Sequence, residues 1–371
     1  MSKNKIRFIK SINHQTPDRV PMDLGASTVS TIEIDLYNDL RKFLNLPESE
    51  IKPYCPYFGL VEPEKDIAEY FDLDFKRVGP ELFKVFKINN NKYIDELGII
   101  WKKNGLNLEV SESPIKILNH KTISGMKLPR YNDCDRMADI KAEVNKKLKK
   151  EYVLVVDVWA TCIVTLAIRL LGYANFLEYT ISNKTMLWNL FEKLEGLFNE
   201  FADGFLSKVG SYIEVAVMGD DLGAQQNLLF SPKTYRELIK PFHKSIIENI
   251  KKHTEAKVFF HTCGSVYDLI PDLIDIGVDI LNPIQTTARK MDPYDLKKNY
   301  GKDLVFWGGL DAQNLLVSGN KEKVNMETKK LVKTLGSNGG YIFAGSHNLI
   351  GKIKPENIAE AFLTARNVGF I

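Results

Sequence analysis

The chain has 371 residues, with Lys+Arg 50 against Asp+Glu 47 and a formal net charge of +3. So even a balance lacks the polycationic excess that binds nucleic acid, and the length suits either two domains or one α/β barrel with a large core. Four cysteines with no CxxC pair argue against a disulfide framework and for a reducing, cytoplasmic setting; no secretory leader and no membrane span are expected.

In chain order, a polar N-terminal helix carrying His14 leads into a first strand at 20–24, with Asp23 at its end. A weaker second strand is expected at 73–78. Between residues 80 and 127 the pattern changes to alternation, as in Lys84-Val-Phe-Lys-Ile, with a turn at Asn89-Asn-Asn-Lys and a further run from Ile99 to Gly105. This insertion predicts antiparallel β-hairpins capping one end of the main fold. The apolar stretch 153–171 contains Asp157 and Arg169 and divides into a strand and a helix. Further strands are predicted at 213–218, 258–261, 278–281, 304–307 and 341–344. Ser231-Pro232 and Lys354-Pro355-Glu356 open helices, with proline at the first helical position; the last helix places Ile358, Ala361, Phe362 and Ala365 on one face. Eight strand runs, most followed by a helix, predict a single-domain (β/α)8 TIM barrel over residues 1–371.

Active sites of such barrels form at the C-terminal strand ends. There the chain places Asp23, Asp157, Gly219-Asp220-Asp221-Leu-Gly223, His261 with Cys263, Asn282 with Gln285, Gly308-Gly309-Leu-Asp311, and His347 with Asn348. Any one of the Asp, Asn or Gly positions is also an ordinary turn or cap, Asp311 most of all. His261 and Cys263 leave a buried strand on one face, and imidazole with thiolate suits zinc or another borderline-soft divalent ion. The competing account is a hydrogen-bonded core histidine beside a small buried cysteine. A second strand-end histidine, His347, favours a metal site. Asp220 and Asp221 alternate faces if extended, and Asp220 is taken as the inward one. His120, His243 and His253 are read as packing or surface residues, and Cys55, Cys134 and Cys162 as structural.

These segments resemble the uroporphyrinogen decarboxylase superfamily, and within it the corrinoid-linked methyltransferase branch, over nearly the full length. The resemblance rests on Asp18-Arg-Val-Pro, Gly219-Asp-Asp-Leu-Gly, His261-Thr-Cys-Gly-Ser, Gly277-Val-Asp-Ile-Leu-Asn-Pro-Ile-Gln, Phe306-Trp-Gly-Gly-Leu-Asp and Gly340-Tyr-Ile-Phe. It implies a (β/α)8 barrel, often a homodimer, with catalytic zinc in the barrel mouth. Two departures matter. Decarboxylases carry an arginine-rich segment after the first strand that clamps the tetrapyrrole's carboxylates, whereas this chain reads Asp23-Leu-Gly-Ala-Ser-Thr-Val-Ser; porphyrin decarboxylation is therefore not expected. Thiol-methylating members resemble this chain in their H-x-C but take a later cysteine as a further ligand, where this chain has His347.

A set of His261, Cys263 and His347 around Zn²⁺ leaves a net charge of about +1, against about zero for two thiolates, and so a stronger Lewis acid. The expectation is a methyltransferase that moves a methyl group from a small O-methyl donor, methoxy-aromatic for instance, to the cobalt(I) corrinoid (cobalamin) of a partner protein. Asp220 or Gln285 would orient the substrate or complete the metal's coordination. Trp159, Trp307 and Tyr341 either line an apolar pocket or belong to the core. The alternatives are a methyl-corrinoid:thiol methyltransferase and a non-catalytic barrel that binds a corrinoid or tetrapyrrole.

Overall fold

The computed structural model describes all residues except 56, 80–83, 106, 131–141, 143, 146–151, 160 and 370–371; Cys134 and the side chain of Trp159 lie outside what is described. An antiparallel pair, β1 (Ile32–Glu33) and β2 (Leu60–Val61), precedes the main sheet. That sheet is parallel and has seven strands: β3 (Phe75–Val78), β8 (Val153–Trp159), β9 (Val215–Gly219), β10 (Lys257–His261), β11 (Ile280–Asn282), β12 (Val305–Trp307) and β13 (Tyr341–Ile342). Their order is β13-β12-β11-β10-β9-β8-β3, each strand beside its predecessor among them, with helices in the connections. This is the TIM-barrel arrangement the sequence predicts.

The first expected strand, 20–24, differs. It forms no strand, only a parallel bridge between Met22 and Phe343. Pro21 has no N–H to give a ladder, and Gly25 turns the chain at φ 110°. The segment still joins the two sheet edges: Phe343 N–H donates to the Pro21 carbonyl (2.8 Å), Asp23 N–H to the Phe343 carbonyl (2.9 Å) and Asp74 N–H to the Met22 carbonyl (3.0 Å). The buried Asp74 carboxylate fastens the closure from beneath, accepting from Met22 N–H (2.8 Å), Arg19 Nη1 (2.8 Å) and Arg7.

Strand alternation sorts the core into two layers. Val153, Val155, Val215, Val217, Phe259, Ile280, Val305, Trp307 and Ile342 pack inside the barrel. Leu154, Val156, Ala216, Met218, Val258, Phe260, Leu281 and Phe306 face the helices. Phe8, on the N-terminal helix Lys3–Ile12, closes the barrel floor edge-on against Phe75, at 5.7 Å between ring centroids. Trp307 and Tyr341 are core residues and not pocket walls. The indole N–H of Trp307 donates to Asp23 (2.9 Å) and the Tyr341 hydroxyl to the Gly308 carbonyl (2.8 Å), both fully buried.

The insertion folds as hairpins: β4 (Val85–Lys87), β5 (Lys92–Asp95), β6 (Ile100–Asn104) and β7 (Asn107–Glu112) form a four-stranded antiparallel sheet in sequence order. A short helix, His120–Gly125, follows it, where the alternation gave no sign of one. The sheet leans on the barrel mouth. Leu97, Ile99, Trp101 and Leu108 join the main core, and Leu108 N–H donates to the Tyr57 carbonyl at 2.6 Å.

Candidate metal centre

The register between β9 and β10 pairs Phe259 with Val217 and His261 with Gly219. Phe259 points into the barrel, so His261 does too, two residues further on. The imidazole is buried, and its Nδ1 lies 2.6 Å from Asn282 Oδ1. Asn282 Nδ2 donates to the Trp307 carbonyl at 3.1 Å, which fixes the amide with its oxygen toward the ring. Nδ1 therefore carries the hydrogen, leaving the lone pair on Nε2. That atom is 3.4 Å from Cys263 Sγ. After Cys263 the chain must turn sharply. Gly264 does so at φ 86°, where a Cβ would meet the Ala224 carbonyl oxygen at 2.7 Å.

His347 arrives from the loop after β13, its ring centroid 5.6 Å from that of His261. One donor atom each from His261, Cys263 and His347 lies within 4.8 Å of the others. Bond lengths of about 2.3 Å to sulfur and 2.0–2.1 Å to nitrogen put tetrahedral zinc ligands about 3.5 Å apart, so the His261–Cys263 pair is already at ligand spacing and His347 is within a small side-chain adjustment. The three residues fit a zinc ion.

The electrostatics suit a cation. Burial, then the nearby Asp221 carboxylate, pushes the Cys263 thiol well above its ordinary range. Desolvation at the cavity wall, then the proximity of His261, lowers the His347 imidazole to about 4, so the ring is neutral and able to ligate at physiological pH.

Two residues expected at the site are engaged elsewhere. Asp220 faces away from the barrel interior: its carboxylate accepts from Val164 N–H (2.9 Å) and Thr165 N–H (2.8 Å) at the start of the helix Ile163–Leu171, and from His243 Nε2 (2.9 Å). His243 is thus a buried structural partner, with Nδ1 3.3 Å from the Tyr235 hydroxyl. Gln285 spends its amide on loop contacts, Oε1 accepting from Gly264 N–H (2.8 Å) and Nε2 donating to Gln225 Oε1 (2.9 Å). The carboxylate at the centre is Asp221, whose Oδ1 accepts from Cys263 N–H (3.3 Å) and stands 3.8 Å from His261 Nε2. Strand parity could have identified it: Val215, Val217, Gly219 and Asp221 continue the inward series on β9. Asp311 is the ordinary turn residue it resembles, accepting from Gln313 and Asn314 N–H in the turn before the helix Leu315–Ser318.

A cavity of about 300 Å³ opens over His261 and His347. Asp221 and Thr165 line one part of it, Thr28 and Val29 another, and Phe58 with Asn107 and Leu108 of β7 bring the cap to its rim. Burial raises the Asp157 carboxyl beneath this rim, where it accepts from Thr28 N–H at 2.5 Å.

The family profile described as Uroporphyrinogen decarboxylase (URO-D) matches residues 103–368. Among curated proteins, the uroporphyrinogen decarboxylase of Nostoc punctiforme is 24% identical over 199 residues, 53% of this chain and 52% of that protein. The corresponding enzyme of Trichodesmium erythraeum is 22% identical over 197 residues, 53% and 51% of the two chains. The chain thus spans about half the length of the curated relatives it matches. Among solved structures, a methyltransferase from Methanosarcina mazei superposes with a TM-score of 0.66 at 16% identity, over 98% of each chain, a likeness of fold. No helix among the described residues is long and apolar enough to cross a membrane.

Proposed function

This chain belongs to the uroporphyrinogen decarboxylase family, and from that premise we propose that it is a zinc-dependent methyltransferase taking a methyl group from an O-methyl donor to a cobalt(I) corrinoid on a partner protein. The observation that carries this is the convergence of His261, Cys263 and His347 beneath a cavity large enough for a small organic molecule. The full-length likeness to the fold of the Methanosarcina mazei methyltransferase supports it. Decarboxylation of a polycarboxylate is the poorer fit, because the segment after Asp23 presents Thr28 and Val29 to the cavity and no guanidinium.

Zinc held by one thiolate and two neutral imidazoles would supply a Lewis acid of net charge about +1 to polarise an ether oxygen. Asn282 keeps His261 in the tautomer that ligates through Nε2, and Asp221 presents a carboxylate to the polar end of a bound donor. The cap segment Asn107–Leu108 forms part of the cavity rim. A cobalt(I) corrinoid on the partner would supply the nucleophilic electron pair that accepts the methyl carbon, and the methyl–oxygen bond would break with its own pair left on the ether oxygen. The alkoxide or phenoxide released then takes a proton from solvent.

The test is incubation of zinc-loaded protein with cobalt(I) cobalamin and a panel of methoxy-aromatics, following the cobalt spectrum. Methylcobalamin should form with at least one donor and fail to form after zinc is stripped. A zinc-loaded protein that demethylates none of them yet methylates thiols from methylcobalamin would replace this reading with the thiol-directed one.

A further inference from the structure

Asn282 stands behind the ring of His261, but no side chain does the same for His347. Among the described residues the His347 imidazole has no hydrogen-bond partner, and its ring neighbour is His261, 5.6 Å away between centroids. Its donor atom is therefore placed by the backbone that carries it.

That backbone is fastened on one side by the next residue. Asn348 is buried, and both ends of its amide are used on one loop: Oδ1 accepts from Thr31 N–H (2.9 Å) and Nδ2 donates to the Thr28 carbonyl (2.7 Å). Only one orientation of the amide satisfies both, since a flip would set oxygen against oxygen and N–H against N–H. The loop it grips is itself tied down. Asp23 accepts from Ala26 N–H (2.8 Å), Asp157 from Thr28 N–H (2.5 Å), and Thr31 Oγ1 donates to the Val61 carbonyl (2.5 Å). On the other side of His347, Ser346 N–H donates to the Leu310 carbonyl at 2.8 Å. At Gly345 a Cβ would meet the His347 carbonyl oxygen at 2.6 Å, so the chain folds closely back there. His347 thus sits between two anchors, one on the loop after β12 and one on residues 28–31.

The two segments do not depend on Asn348 alone. Leu349 N–H donates to the Thr31 carbonyl (2.7 Å) and Glu33 N–H to the Leu349 carbonyl (2.9 Å), bonds that need no Asn348 side chain. What the amide adds is local: it fixes the chain one residue from the imidazole. A shift of about 1 Å there is enough to take a nitrogen out of a zinc bond of about 2.0–2.1 Å.

We propose that Asn348 is a positioning residue for zinc that acts through His347, its bonds to Thr31 and Thr28 holding the backbone where the imidazole reaches an ion shared with His261 and Cys263. This rests on the metal centre in the function proposed above and gives a task to the asparagine that follows the strand-end histidine.

The test is a double-mutant cycle in zinc affinity, measured by competition against a chromophoric chelator, with Asn348→Ala, His347→Ala and the double variant. Asn348→Ala should weaken zinc binding by about tenfold or more, as loss of a residue that orients a ligand does. In the His347→Ala background the same change should cost less than about twofold, because the ligand it positions is gone. The cobalt(II)-substituted Asn348→Ala protein should show the ligand-field bands of the His347→Ala protein, with the Cys263 thiolate charge-transfer band retained. Asn348→Ser, too short to make both contacts, should repeat this pattern. Unchanged zinc affinity in Asn348→Ala overturns the assignment, as does an equal loss in both backgrounds, which would show Asn348 steadying the fold as a whole. His347→Ala with unchanged zinc affinity overturns it too, and so does failure of both Asn348 variants to fold, read by urea unfolding. Methyl transfer is read separately. A cycle that holds in a protein demethylating no donor upholds the positioning role and removes the demethylase reading, whereas demethylation with an additive cycle does the reverse.

Discussion

Asn282 Oδ1 receives the Nδ1 hydrogen of His261 at 2.6 Å, while the other end of the same amide donates to the Trp307 carbonyl at 3.1 Å. A residue on β11 thereby sets the tautomer and ring plane of His261, the proposed zinc ligand on β10. Asn282→Ala should weaken zinc binding by about 10–100-fold, the usual effect of removing a partner behind a ligating histidine. Competition against a chromophoric chelator measures this; unchanged zinc affinity would show that the ring is held by packing alone.

Zinc binding at pH 8 should release about one proton per ion, because a thiol must be deprotonated before it ligates. The folded Cys263 thiol lies well above its ordinary range, so it is protonated at that pH in the metal-free protein. His347, lowered to about 4, has no proton to lose. Calorimetry in buffers of different ionisation enthalpy counts the protons, and Cys263→Ala should eliminate both the release and tight binding.

The adjacent aspartates should separate cleanly. Asp220→Ala removes a helix cap and leaves His243 buried without its acceptor, for a loss of about 2–4 kcal/mol in urea unfolding. Asp221→Asn should change stability by less than about 0.5 kcal/mol, since its side chain is half exposed. It should, however, lower the Cys263 thiol pKa in the metal-free protein, because the carboxylate's charge helps hold that pKa up. Thiolate absorbance against pH reads the shift, and a rise would contradict the geometry.

His347→Cys tests the Lewis-acid role. Thiolate is a good zinc ligand, so the metal should be retained, but a second thiolate brings the centre's charge to about zero. Ether demethylation should fall by about tenfold or more, equivalent to roughly 1.4 kcal/mol of barrier, while transfer from methylcobalamin to a thiol improves. Full zinc content with undiminished ether demethylation would count against the assignment.

Much of this was legible from residue order because it depends on local pattern. Val258 to His261 is apolar and β-rich, so it predicts a buried strand, and spacing by two residues carries His261 and Cys263 off the same face. The hairpins of the insertion follow from alternation between polar and apolar residues. Proline explains the exception at 20–24, where the expected strand is reduced to one bridge at Met22. The choice between Asp220 and Asp221 was also open to local reasoning, since counting by twos from Val215 reaches Asp221.

Other features depend on where distant segments meet. Composition and periodicity specify strands, helices and the inward face of each strand, because side-chain direction repeats every two residues whatever lies opposite. They cannot specify that Gln285 is consumed by Gly264 and Gln225, that His243 supports Asp220 from 23 positions away, or that Arg169 rests on a tryptophan of the inserted cap. Those are contacts between elements, and they arise only when the barrel closes and brings residues far apart in the chain within hydrogen-bonding range.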